Sequence, residues 1–175
     1  MDNVKAIFMD LDGTVLTSGH KVSKNLIKKL RELEEKGVKT FVATGRTFSS
    51  SKPFVEMLGI KNPVINYNGG RVVNPLNSEV IFEKPVEAQD VEELIKVSRE
   101  KGIHLNLYMD DKLYIEHETE EGEKYSESVE IPYYVRNFDE FIGKSSTKAL
   151  FIAENSILLE LKKELEEKLP HLNFV

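Results

Sequence analysis

The chain has 175 residues, 40% of them hydrophobic and 31% charged, enough for one ordinary domain or two small ones with real cores. A net charge of −6 gives a nucleic-acid partner no electrostatic support, and the absence of cysteine excludes disulfides, thiolate zinc sites and cysteine nucleophiles. With no apolar stretch of about 18 residues and no signal-peptide pattern after Met1, the sequence reads as soluble and cytoplasmic, without a membrane partner.

Residues 4–9 (VKAIFM) form a short apolar run without clean alternation, as expected of a strand covered on both faces. It leads into Asp10-Leu11-Asp12-Gly13-Thr14 and a polar, turn-rich stretch. Ser23 is placed to cap a helix with Val22, Leu26, Leu30 and Leu33 on one face, ended by Gly37. Residues 38–44 (VKTFVAT) predict a second strand, 46–58 a helix ending near Gly59, and 63–67 (PVINY) a third strand. Strand, helix, strand, helix, strand predicts a parallel, right-handed α/β sheet.

After Asn68-Gly69-Gly70 the pattern changes. Residues 71–86 predict a hairpin turning at Pro75-Leu76-Asn77-Ser78. A helix follows over 88–101, with Val91, Leu94, Ile95 and Ser98 inward and Gly102 at its end. Residues 103–109 and 112–118 alternate as two strands joined at Asp110-Asp111, followed by a weak helix over 121–129. A strand over 147–154, a helix over 156–169 and a last strand, His171-Leu172-Asn173-Phe174-Val175, complete the reading. We therefore expect an N-terminal part of a core over 1–83 and a separate α+β unit with an antiparallel sheet over 84–175.

In an extended backbone residues two apart point the same way, so Asp10 and Asp12 can share one reaction space while Leu11 faces the core. Ligands of open α/β sheets sit beyond the carboxyl ends of the strands, where this pair lies. Two such carboxylates repel unless a cation or a shared proton intervenes. One could attack phosphorus, its neighbour could move the proton, and Mg²⁺ would offset the charge. Asp-Gly alone more often marks a turn, and a calcium-loop reading fails because the glycine comes one position early with no closing glutamate. Two further strand ends change the balance. Thr44, Gly45 and Arg46 supply a hydroxyl, close backbone approach and a fixed cationic fork, while Asn68 and Gly69 end the third strand.

Together "DLDGT" at 10–14, "ATGR" at 43–46 and "NYNGG" at 66–70 resemble the haloacid dehalogenase (HAD) superfamily and, within it, the Cof-like phosphatases. "MDDKLY" at 109–114 resembles a hairpin of that branch's cap. The resemblance implies a parallel Rossmann-type HAD-like core with an inserted α+β cap. It implies Mg²⁺-dependent hydrolysis of a small phosphorylated metabolite, such as a sugar phosphate, through an aspartyl-phosphate. Asp10 would be nucleophile and metal ligand, and Asp12 general acid/base and metal ligand through its carbonyl. Leu11, Thr44, Gly45, Arg46, Asn68 and Gly69 would bind phosphate or substrate.

The superfamily's later lysine and Gly-Asp motifs are missing, and the chain is expected to end inside the cap. That leaves two alternatives: a catalytically inactive binding module and, less favoured, a phosphosugar mutase. The C-terminal strand that flanks the first strand in the superfamily is also absent. The expectation is a fragment, or a homodimer or strand exchange covering that edge. Asp110-Asp111 reads as a charged turn, and "GKSS" at 143–146 is no P-loop because Phe138 stands where glycine is required. His20, His104, His117 and His171 show no metal-ligand spacing, and Tyr133, Tyr134, Phe138 and Phe141 read as cap core.

Overall fold

Strands β1 (Ala6–Met9) and β2 (Lys39–Val42) pair in parallel, Ala6 opposite Lys39 and Met9 opposite Val42. This computed structural model describes residues 4–17, 19 and 21–175; His20 lies outside them. Helix α1 (Lys24–Glu35) connects the two strands, burying Leu30 and packing Leu26, Leu33 and the preceding Val22 on the same core. Ser23 occupies the capping position without a side-chain hydrogen bond, and Gly37 turns the chain out at φ 79°.

Helix α2 (Phe48–Leu58) is capped by the Thr47 hydroxyl, which accepts from Ser50 N–H at 3.1 Å. It ends at Gly59 and returns the chain to β3 (Val64–Asn66). β3 meets β2 in a parallel bridge between Ala43 and Ile65, beside which Thr44 N–H donates to Ile65 C=O at 2.9 Å. β4 (Arg71–Val73) and β5 (Val80–Glu83) then continue antiparallel from β3. Leu11, Val42, Val55 and Val64, all wholly buried, lie in the core beneath.

The expectation that residues 4–9 are covered on both faces is not met. Phe8 is 59% exposed, its ring stacked on Phe41 at 4.6 Å. Among the described residues β1 pairs with β2 alone.

This first compact unit closes at Lys84 and a second opens at Pro85. In the second, α3 (Ala88–Lys101), β6 (His104–Met109), β7 (Lys112–Ile115), α4 (Glu120–Val129), β8 (Tyr133–Val135), β9 (Lys148–Ile152) and α5 (Asn155–Lys168) follow in order. The sheet order is β8-β7-β6-β9. Asp110 and Asp111, at φ 51° and 61°, make the tight turn between β6 and β7. Val91, Leu94 and Ile95 of α3 share one core with Leu105 and Leu107 of β6 and Leu161 and Leu165 of α5.

Three features differ from the sequence expectation. β8 was not foreseen: it is three residues long, follows Pro132, and pairs in parallel with β7, so the sheet is mixed. Residues 171–175 form no strand. Leu172 N–H instead donates to Leu169 C=O at 3.0 Å, His171 Nε2 lies 2.8 Å from Asp90, and Leu172 and Phe174 pack on the core. Phe138 and Phe141 are core residues, whereas Tyr134 is exposed.

Glu116 ties β7 to the chain beyond β8. Both its oxygens accept from Arg99, at 2.5 and 3.0 Å, and one accepts Phe138 N–H at 3.1 Å. The Arg99 guanidinium holds the Glu116 carboxyl below its ordinary value, helped by the Phe138 amide and opposed by burial. A depressed folded-state pKa contributes stability above the unfolded value of about 4.5, and that stability is lost as pH falls through the folded value. Glu116→Gln is therefore expected to lower Tm at neutral pH and to flatten its decline below about pH 4.5. Thermal unfolding of both proteins across that range checks this; parallel curves would contradict it.

Candidate active site

At the carboxyl end of β1 the chain leaves the sheet in a short turn. Asp10 and Asp12 keep extended backbones (φ −77° and −76°), while Gly13 takes φ 71°, a conformation costly for residues with a Cβ. Leu16 N–H closes the turn onto Leu11 C=O at 2.8 Å. Leu11 is fully buried, Val15 and Leu16 are buried at the far end and both aspartates are exposed, so apolar anchors fix a turn that carries two carboxylates. Asp10 Oδ1 accepts Leu11 N–H at 2.8 Å.

Met9 C=O accepts from Ala43 N–H at 2.9 Å, which sets Thr44 and Gly45 at the neighbouring strand end. Thr44 is buried; its Oγ1 accepts Arg46 N–H at 3.2 Å and its carbonyl accepts Asn68 N–H at 3.2 Å. Tyr67 N–H donates to Arg46 C=O at 3.2 Å, so the segments after β2 and β3 are laced together by main-chain bonds. Tyr67 and Asn68 hold φ 52° and 54°, and a buried tyrosine in the left-handed region is sterically unfavourable unless its surroundings impose it.

The arginine crosses to the first strand end. Arg46 Nε and Nη2 donate to the two oxygens of Asp12 at 2.8 and 2.7 Å, a two-pronged ion pair. The Arg46 side chain is only 12% exposed against 50% for Asp12, so the cation is held on the protein side of the pair. Its Cζ lies 5.2 Å from the centre of the Phe54 ring, a further restraint. Charge-assisted, forked pairs of this kind fix orientation as well as charge.

Asp12 and Arg46 are thus brought into direct contact, Thr44 and Asn68 are joined through their main chains, and Asn68 lies over Gly45. Gly69, at φ 97°, is exposed beside Asn68. Asp10 borders this group through Met9, whose carbonyl is bonded to Ala43 N–H. The donors at the β1 end, the Asp10 carboxylate and the Asp12 carbonyl, are all oxygen. Such a pair suits a hard cation that keeps water in most positions. Among the described residues no cluster of three or more histidine, aspartate or glutamate side chains could hold a metal.

The sequence reading missed Asn66, whose buried side chain meets the backbone of Arg46 and Thr47, and Phe54 beneath the arginine. A polar residue at a buried strand position was the available signal for Asn66; an aromatic residue in the middle of a helix gives none for Phe54.

A Cβ on Gly45 would lie 2.8 Å from Asn68 Oδ1. Because Asn68 is exposed and its side chain can swing, Gly45→Ala is expected to displace that amide at a stability cost within about 0.5 kcal/mol. The Asn68 side-chain amide resonances and the Tm check this, and an unmoved Asn68 would contradict it. Leu11→Ala should instead cost about 2–5 kcal/mol, read by denaturant unfolding, because it empties a filled core position.

The family model for haloacid dehalogenase-like hydrolases matches residues 7–175. A provisionally named phosphatase of Haemophilus influenzae is 27% identical over 170 residues, 97% of this chain and 64% of that protein. The pyridoxal phosphate phosphatase of Escherichia coli is 30% identical over 115 residues, 66% of this chain and 42% of that protein. A solved haloacid dehalogenase-like hydrolase from Bacteroides thetaiotaomicron superposes at a TM-score of 0.83 and 23% identity, over 95% of this chain and 65% of that one. The chain spans less than two thirds of the length of these proteins. Among the described residues no helix is long and apolar enough to cross a membrane. A family match over nearly the whole chain, on a fold shared with a solved member, makes this chain a member of the haloacid dehalogenase-like hydrolase family, in its Cof-like branch.

Proposed function

We propose that the protein to which this chain belongs hydrolyses small phosphate monoesters, sugar-phosphate-like in size and charge, through an aspartyl-phosphate on Asp10. The forked ion pair between Arg46 and Asp12, next to an exposed Asp10, is the observation that supports this reading most strongly. A relative named for pyridoxal phosphate supports the substrate class.

In this reading the Asp10 carboxylate attacks phosphorus, forming one O–P bond as the ester O–P bond breaks. Asp12, protonated, gives its proton to the departing alkoxide and then takes one from the water that attacks the phosphoenzyme. Release of phosphate restores the Asp10 carboxylate. Arg46 has two tasks. Before substrate binds it neutralises Asp12 and keeps the two carboxylates from repelling each other freely. An entering phosphoryl group competes for the same guanidinium, which frees Asp12 to carry a proton. The Leu11 amide, the Thr44 hydroxyl and the open backbone at Gly45, Asn68 and Gly69 are the remaining contacts for phosphoryl oxygens. Mg²⁺, held by the Asp10 carboxylate and the Asp12 carbonyl, would supply positive charge between nucleophile and phosphate.

The second unit serves as a cap that selects the substrate. The edge of β1 that pairs with no strand among the described residues takes a further strand, from the rest of the polypeptide or from a second copy.

Phosphate release from p-nitrophenyl phosphate is expected to require Mg²⁺, to stop on chelation and to disappear in Asp10→Asn. Arg46→Ala should lower kcat/KM by on the order of a hundredfold, the usual effect of removing one charge-stabilising donor. Release that survives Asp10→Asn would remove the covalent mechanism.

A further inference from the structure

We infer that Asn66 is a positioning residue: its buried side-chain amide fixes the backbone of Arg46 and Thr47 and thereby aims the guanidinium at Asp12. Asn66 has no exposed surface, and its main chain belongs to β3, paired with Arg71 of β4. Its Nδ2 lies within hydrogen-bond distance of three acceptors on the neighbouring segment, Arg46 C=O at 3.2 Å, Thr47 C=O at 3.3 Å and Ser51 Oγ at 2.9 Å, so one of its two hydrogens is shared. One short side chain therefore joins the end of β3 to the start of α2 on both sides of the Thr47 cap.

The other end of the amide shows why asparagine stands here. Asn66 Oδ1 is buried with no hydrogen-bond partner among the described residues. An apolar residue of the same shape would fill the space without leaving a polar atom unmet, and valine or isoleucine is the usual choice in a buried strand. The unmet acceptor is offset by the contacts that the two amide hydrogens make, which reach the carbonyls of the residues that carry the arginine and the helix cap. Turning the amide over would set Oδ1 against two carbonyls, so only the observed orientation is compatible with the site. The next two residues, Tyr67 and Asn68, sit in the left-handed region, where the chain holds its shape only if its neighbours hold it.

The inference rests on Arg46 being an acting group, but its first test needs no turnover. The Arg46 Nε–H, donated to Asp12 in the folded chain, is followed by hydrogen exchange in ¹⁵N-labelled protein, its resonance assigned by its loss in Arg46→Lys. In Asn66→Leu, which keeps the shape and removes the donors, exchange is expected to speed up on the order of tenfold. Ser51→Ala removes the 2.9 Å acceptor alone and should shift exchange in the same direction by less, so it decides the matter if the leucine variant does not fold. Unchanged exchange in a folded Asn66→Leu chain, or in Ser51→Ala if the former fails to fold, overturns the inference. Where phosphate release is measurable, Asn66→Leu should lower kcat/KM in the Arg46 protein and have no further effect in Arg46→Ala, whereas additive losses would mark a merely structural role. A chain that releases no phosphate counts against the proposed hydrolysis and leaves the exchange result to judge Asn66.

Discussion

Two carboxylates two positions apart, on an exposed turn, repel each other, and the site is organised around the cation that pairs with one of them. Arg46 meets Asp12 across 34 positions of sequence with both prongs of its guanidinium. Parallel pairing of β1 with β2 makes that reach short, because it sets the residues after Met9 beside those after Val42. The arginine then needs a backbone that does not drift. It has one in the bonds from Tyr67 and Asn66 to the Arg46 carbonyl and from Asn68 to the Thr44 carbonyl.

Burial and exposure alternate along these strand ends in a way that separates support from chemistry. Leu11, Thr44 and Asn66 are buried and hold the frame, while Asp10, Asp12 and Asn68 face outward from it. A frame anchored in this way holds the backbone beneath the charged side chains in place while those side chains stay open to a ligand. The second unit is built on different lines. Its core joins α3, α5 and the central strand β6, and surface ion pairs such as Arg99 with Glu116 and Asp139 tie its connections.

Much of this was legible in the sequence. Apolar runs ending in polar, glycine-containing motifs marked β1, β2 and β3, and leucine spacing marked α1 and α5, because burial on one face leaves a periodic trace. Asp110-Asp111 was readable as a turn for a local reason, since short polar side chains tolerate the left-handed backbone. What escaped depended on tertiary pairing. β8 is too short for a pattern and exists through its partner β7. The HLNFV run has strand-like composition but pairs with no strand among the described residues, and Leu172 and Phe174 pack on the core instead. In the candidate site, the residue types were readable in the sequence. The forked grip of Arg46 on Asp12 and the role of Asn66 were not, since both are distances between segments that sequence spacing does not encode.

Rapid acid quench during turnover of a phosphomonoester, followed by peptide mass analysis, tests the covalent step at its root. The account predicts one phosphoryl group on the peptide containing Asp10 and none in Asp10→Asn. Phosphate formed with no labelled peptide, or with the label on a different residue, would contradict it.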